Sequence, residues 1–279
     1  MESCHKGPGI ADTPPDKKKV ESAKPSMAGI KHKFIIMSGK GGVGKSSVSV
    51  NLAIALANRG YKVGIMDTDI HGPDIPRMLG LQGMTKVDAD QKIQPLLFSG
   101  NLLAVSMESL MKDKDNSIIW RGPMKHSLIR QFIQEVDWGN LDYLIIDAPP
   151  GTGDEPLTVA KLIKDAQAVI VTTPQEISLA DVRKSIHFCN TLGMKIFGLL
   201  ENMSSYTCPH CRQTVDLFGT GGGEKTASAY GIPFLGKIPF DPGMVKCADQ
   251  GISFQQKYPD APVTQGFMNI AQKMSELNE

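Results

Sequence analysis

The 279-residue chain predicts an α/β fold, a mostly parallel sheet covered by helices on both faces. Two observations carry that expectation. Continuous apolar runs alternate with helical patterns along most of the chain, as parallel strands joined by crossover helices require. In addition, Gly39-Lys40-Gly41-Gly42-Val43-Gly44-Lys45-Ser46-Ser47 fits the phosphate-loop pattern G-x-x-x-x-G-K-[ST] between a strand and a helix, the context that pattern needs.

The elements follow in order. Residues 1–30 hold Pro8, Pro14, Pro15, Pro25 and the triplet Lys17-Lys18-Lys19 with few large apolar residues. Such a segment has too little apolar surface to bury, so it is expected as a disordered tail before a single domain at 31–279. Strands are expected at 34–38, 63–66, 102–107, 143–147, 168–172, 196–201 and 234–237. Helices are expected around 46–58, 127–136, 178–192, 223–230, 242–250 and 262–277. The last has an apolar stripe, Phe267, Ile270, Ala271, Met274 and Leu277, whose polar face lacks the basic excess an anionic membrane rewards; packing on the sheet is the expectation.

Composition narrows the function classes. Hydrophobic residues make up 41% and charged residues 21%, ordinary for a soluble protein. The net charge of +1 gives no basic excess for nucleic acid. No apolar run approaches the ~18 residues of a membrane span, and the first residues lack the apolar core of a secretory signal. A cytoplasmic protein is expected, with no nucleic-acid or membrane partner and with reduced thiols.

In the phosphate loop, glycines let successive N–H groups face a phosphate, and the helix N-terminus adds partial positive charge. Lys45 is expected on the β- and γ-phosphates of ATP, and the Ser46 hydroxyl on Mg²⁺. Three further segments join it. Asp67-Thr68-Asp69 ends a strand, where a carboxylate can orient water or bind Mg²⁺ through water; a turn or cap aspartate is the plainer alternative. Tyr143-Leu-Ile-Ile-Asp147 has the form of a strand whose last carboxylate holds the Mg²⁺ shell, and Pro149-Pro150-Gly151 offers a stiff turn with a backbone N–H for the γ-phosphate. Asn202, at a strand end, has an amide suited to the edge of adenine.

Five cysteines, Cys4, Cys189, Cys208, Cys211 and Cys247, are an odd number and give no disulfide framework. Cys208-Pro209-His210-Cys211 is a C-x-x-C pair whose thiolates can bind one metal or cluster edge, whereas a closed site needs four ligands. Cys189 and Cys247 lie in helical patterns and Cys4 on the tail, so two chains are expected to supply four thiolates on a twofold axis. A redox dithiol, incidental loop cysteines and a structural zinc in a scaffold protein remain the alternatives.

With Lys40 at its start, the loop resembles the deviant Walker A loop of the MinD, ParA, Get and nitrogenase iron-protein group of dimeric P-loop ATPases. That resemblance implies that Lys40 reaches the partner's ATP, that Asp69 activates water, and that Asp147 is the Walker B aspartate. Further stretches are similar to the Mrp/ApbC family of iron–sulfur cluster carrier ATPases. They are Asp67-Thr-Asp-Ile-His-Gly-Pro73, Trp120-Arg-Gly-Pro-Met124, Asp147-Ala-Pro-Pro-Gly-Thr-Gly-Asp154, Glu201-Asn-Met203, Cys208-Pro-His-Cys211 and Gly231-Ile-Pro-Phe-Leu-Gly-Lys-Ile-Pro239. The resemblance covers about residue 30 to the end. It implies a cytosolic homodimer with slow ATP hydrolysis. A labile [4Fe–4S] cluster, bridged by Cys208 and Cys211 of both subunits, would be taken from a donor and passed to apo-protein clients. A positioning ATPase of the MinD/ParA kind uses the same loop and is the rival reading.

Overall fold

The computed structural model describes residues 27–70, 72–81, 85–90, 92–107 and 122–278. Its elements in chain order are β1 (Ile30–Ser38), α1 (Lys45–Asn58), β2 (Val63–Asp67), α2 (Ile75–Met78), β3 (Lys86–Val87), β4 (Ile93–Gln94), β5 (Leu96–Ser99) and β6 (Leu102–Ser106). They continue with α3 (Gly122–Glu135), β7 (Leu141–Asp147), α4 (Asp154–Leu162), β8 (Gln167–Thr172), α5 (Glu176–Leu192), β9 (Ile196–Thr207) and β10 (Thr214–Val215). The chain closes with α6 (Gly222–Tyr230), β11 (Phe234–Phe240), α7 (Pro242–Asp249), α8 (Phe254–Lys257) and α9 (Pro262–Glu276).

Among the described residues, nine strands form one sheet in the order β10-β9-β8-β1-β7-β2-β6-β5, with β11 also paired to β9. Seven of them run parallel to their neighbours, and the short strands β5 and β10 are antiparallel additions. The mostly parallel α/β fold expected from the sequence is therefore present.

Alternate side chains of a strand point to opposite faces, and here both faces are dry. Phe34 and Ile36 of β1, Ile65 of β2 and Ile145 of β7 pack with Leu52 and Leu56 of α1 and with Phe267, Ile270 and Met274 of α9. Their neighbours Ile35, Met37, Met66, Leu144 and Ile146 pack on the other face with Ile129 and Phe132 of α3, Val159 of α4 and Cys189 of α5. This double burial is why the strands read as unbroken apolar runs. The α9 stripe lies on the sheet as expected, except that Leu277 is exposed. Among the described residues no helix is long and apolar enough to cross a membrane.

Several boundaries differ from expectation. Met27 and Ile30, placed in the tail by the sequence, are buried in the core, because β1 begins four residues earlier than its most apolar stretch. Residues 1–26, including Cys4 and the proline and lysine residues of the tail, lie outside the described residues, as do His71, Trp120 and Arg121. Helix α4 was not anticipated. It starts Asp154-Glu155-Pro156, where two acids favour the positive helix end and proline is tolerated in the first turn. Strand β9 does not end at Asn202 but continues to Thr207, paired with β11 through Phe240↔Tyr206 and with β10.

Candidate functional site

The C-terminal ends of β1, β2 and β7 and the middle of β9 come together at one end of the sheet, where ligands of parallel α/β folds bind. Register sets the alignment: Asp67 is opposite Asp147, and Asp147 is opposite Ile36, three residues before the phosphate loop. The Asp147 carbonyl accepts hydrogen bonds from Thr68 N at 3.0 Å and Thr68 Oγ1 at 2.8 Å, clamping the two strand ends together.

Gly42 (φ 81°) and Gly44 (φ 80°) hold the loop in the left-handed region that other residues occupy at a cost. Gly39 abuts the Asp181 backbone of α5, leaving no space for a side chain. Helix α1 starts with no capping side-chain hydrogen bond and no acid in its first turn, so none of its own first-turn residues offsets the positive helix end.

Asp147, 1% exposed, gathers three donors. Lys45 Nζ lies 2.7 Å from Oδ1, Ser49 Oγ donates to Oδ1 at 2.6 Å, and Ser46 Oγ donates to Oδ2 at 2.7 Å. A hydroxyl and a carboxylate oxygen in contact at the phosphate end form a hard-oxygen donor set that fits Mg²⁺ bound mainly through water and phosphate. Ser49 was missed in the sequence because its value lies in facing Asp147, one helical turn after Lys45.

Asp67 is fully buried. Its Oδ1 accepts from Asp69 N at 3.1 Å, and its Oδ2 accepts from Ser106 Oγ at 3.1 Å and Ile75 N at 3.3 Å. Burial, and then the negative charge of Asp147, hold its carboxyl well above the usual carboxylate range. Asp69 is half-buried, and its Oδ1 accepts from Gly72 N at 3.3 Å. Lys40 is half-buried at the loop's start, where its carbonyl accepts from Ser38 Oγ at 2.9 Å.

One expectation needs correction. The Gly151 N–H, read as available to a γ-phosphate, donates to the Ser38 carbonyl at 2.9 Å, because the turn after β7 folds back on β1. The Asn202 amide, expected at the edge of adenine, is buried and in this structure donates from Nδ2 to the Val43 carbonyl at 2.9 Å. It braces the phosphate loop in this structure. Next to it, Glu201 is fully buried, and its Oε2 accepts from Gly223 N at 2.7 Å at the start of α6. Glu201 read as an ordinary strand residue in the sequence.

The cysteine pair forms the turn between β9 and β10. Cys208 N donates to the Gln213 carbonyl, and Arg212 N, at φ 60°, donates to the Cys208 carbonyl, both at 2.9 Å. The N–H of Cys211, then that of His210, then the Cys211 thiol lower the Cys208 pKa, favouring the thiolate that binds metals. Cys208 is half-buried and Cys211 exposed. By contrast Cys189 is buried against Met37, with its thiol pushed up to about 11, and Cys247 is buried in α7. Among the described residues no cluster of three or more His, Cys, Asp or Glu is arranged to hold a metal. The pair by itself supplies two thiols, fewer than the four ligands of a closed metal site.

A family model described as ParA, NUBPL iron-transfer P-loop NTPase, matches residues 29–275. The chain belongs to this family. Among its relatives, the human cytosolic Fe-S cluster assembly factor NUBP2 is 43% identical over 254 residues, 89% of this chain and 94% of its own. The iron-sulfur cluster carrier protein of Saccharolobus solfataricus is 46% identical over 254 residues, 91% of this chain and 86% of its own. A solved nucleotide-binding protein of Archaeoglobus fulgidus, in complex with ADP, superposes with a TM-score of 0.71 at 39% identity, covering 81% of this chain and 88% of its own. The septum site-determining protein MinD of Pyrococcus horikoshii, at TM-score 0.65 and 23% identity over 88% of this chain and 96% of its own, shares the fold.

Proposed function

We propose that this protein is a cytosolic ATP-hydrolysing carrier of iron–sulfur clusters, acting as a homodimer that loads a labile [4Fe–4S] cluster from a donor and delivers it to apo-proteins. The observation that carries the reading is the hairpin with two accessible thiols, one favoured as thiolate, in a chain that also has a phosphate loop. Relatives named as cluster carriers and assembly factors support the same cargo.

At the nucleotide site, Lys45 transfers its charge from Asp147 to the β- and γ-phosphates, and the amides from Gly41 to Ser47 cradle them. Ser46 and Asp147 would hold Mg²⁺, which neutralises phosphate charge. Asp69 orients the attacking water, Lys40 reaches the partner's ATP, and Asn202 turns its amide to adenine when the base is bound. At the other site, four thiolates divided between two chains satisfy one cluster at one per dimer and can be released by a small rotation. Slow hydrolysis is coupled to loading or release.

The test is anaerobic reconstitution with iron and sulfide followed by transfer to a defined apo-enzyme, with and without ATP. About four irons per dimer are expected, lost in Cys208→Ser and in Cys211→Ser. Tetrahedral zinc that resists replacement would favour a scaffold role instead, and full cluster content in a monomeric fraction would overturn the bridged site.

A further inference from the structure

Strand β9 joins the two sites. Its middle is pinned on both sides, with Glu201 opposite Thr172 of β8 and Lys237 of β11, and with its carboxylate on Gly223 N. The next residue, Asn202, donates to Val43 O within the phosphate loop. A Cβ placed on Gly44 would meet Asn202 Nδ2 and would come within 3.3 Å of Met203 Cε, so both side chains lie directly on the loop. Six residues later the same strand delivers Cys208, a span of about 20 Å of extended chain.

Between these points the strand is irregular. Met203 sits at φ 54°, one of two non-glycine residues with positive φ among the described residues; the other is Arg212, in the cysteine turn. The pairing with β11 shifts register here. Asn202 is opposite Ile238, but Tyr206 is opposite Phe240, so four steps of β9 match two of β11. A left-handed methionine in a bulge is strained backbone that its surroundings must hold in place, and such positions absorb motion at functional sites.

We propose that Met203 is a positioning residue: it rests on the phosphate loop and transmits the loop's occupancy through the β9 bulge to the Cys208–Cys211 hairpin. Phosphates entering the loop press on the Gly44 region, Met203 and Asn202 yield together, and the outer part of β9 swings the hairpin. Ser204 Oγ on the Ile238 carbonyl and the Tyr206–Phe240 ring pair keep that outer part moving as one piece with β11. The inference rests on the proposed roles of the loop and the cysteine pair, and its test needs no cluster.

The experiment follows the reaction of the Cys208 and Cys211 thiols with 5,5′-dithiobis(2-nitrobenzoate) in the full-length reduced protein, carrying Cys4→Ser, at saturating Mg-ADP and without nucleotide. Cys189 and Cys247, being buried, supply only a slow background. In the parent, ADP should change the rate by about fivefold or more, the lower end of measured inter-site couplings. Met203→Gly, which adopts φ 54° without strain and lacks the contact with Gly44, should fold and bind ADP with similar affinity while its rate becomes insensitive to ADP. Met203→Leu, which keeps a long apolar side chain on the loop, should restore the ADP response. No ADP effect in the parent, a full effect in Met203→Gly, or loss of ADP binding in that variant would each overturn the proposal. Failed cluster transfer with this coupling intact would instead count against the carrier reading alone.

Discussion

Replacing Lys45 with alanine tests the centre of the nucleotide site before any catalysis is measured. Lys45 and Asp147 form an ion pair at 2.7 Å with side chains only 7% and 1% exposed. Removing one member of such a pair leaves an uncompensated buried charge, at a cost of about 3–5 kcal/mol. Asp147 keeps two hydroxyl donors, Ser46 and Ser49, so the lower end, about 3 kcal/mol, is expected. An unfolding entropy of about 2.1 cal/mol/K per residue over roughly 250 folded residues gives about 0.5 kcal/mol/K, and hence a Tm lower by about 6 °C. The assay is calorimetric or fluorimetric melting at neutral pH without nucleotide. Lys45→Met, which keeps the apolar stem, should fall by a similar amount. Adding Asp147→Asn to Lys45→Ala should recover part of the loss, because the stranded charge is gone. Hydrolysis should be abolished in all three. A Lys45→Ala protein melting within about 2 °C of the parent would refute the claim that Lys45 compensates the buried Asp147 charge.

The loop's backbone is tested by Gly44→Ala. Alanine at φ 80° costs about 1–2 kcal/mol, and its Cβ meets Asn202 Nδ2, so denaturant titration should show at least that loss. Asn202→Ala in the same chain should offset part of it, and unchanged stability in the single variant would contradict the left-handed loop. Asp142 predicts a pH dependence. The Lys31 ammonium, donating at 2.8 Å, and the Lys62 N–H at 2.9 Å hold its pKa below the ordinary 3.8. The unfolded chain therefore binds the proton more tightly, and the contact's stabilisation is complete above pH 3.8 and lost as pH falls through the lower folded value. Because Lys31 is well exposed and screened, Asp142→Asn should cost under about 1 kcal/mol at pH 7, and the difference should vanish in acid. A difference that persists unchanged at low pH would argue against the ion pair.

Much of the candidate site was legible along the chain. The phosphate loop, Asp147 at a strand end and the C-x-x-C pair are short-range patterns whose chemistry depends on spacing within a few residues. Ser49, Ser106 and Glu201 were not legible in the same way. Each is an ordinary residue for its element until a partner from a distant segment arrives, as Asp67 does for Ser106 across 39 positions and Gly223 for Glu201 across 22. The Gly151 N–H shows the reverse. Its chemistry was read from type and position, but a donor takes the acceptor that the fold brings nearest, here Ser38 O.

By itself, the sequence determined the alternating β/α pattern, the double burial of the strands and the identity of the loop, because these follow from local apolar periodicity and from glycines at fixed spacing. The tertiary structure alone decided the strand order, which puts β1 between β7 and β8 and so sets Asp147 beside Lys45. It also decided that β9 runs past Asn202 into the cysteine hairpin, joining the two sites in one strand. Residues 203–207 carry no apolar run to announce a strand. Their extended form comes from the neighbours β11 and β10, whose pairing with distant residues satisfies backbone groups that an isolated segment would leave to water.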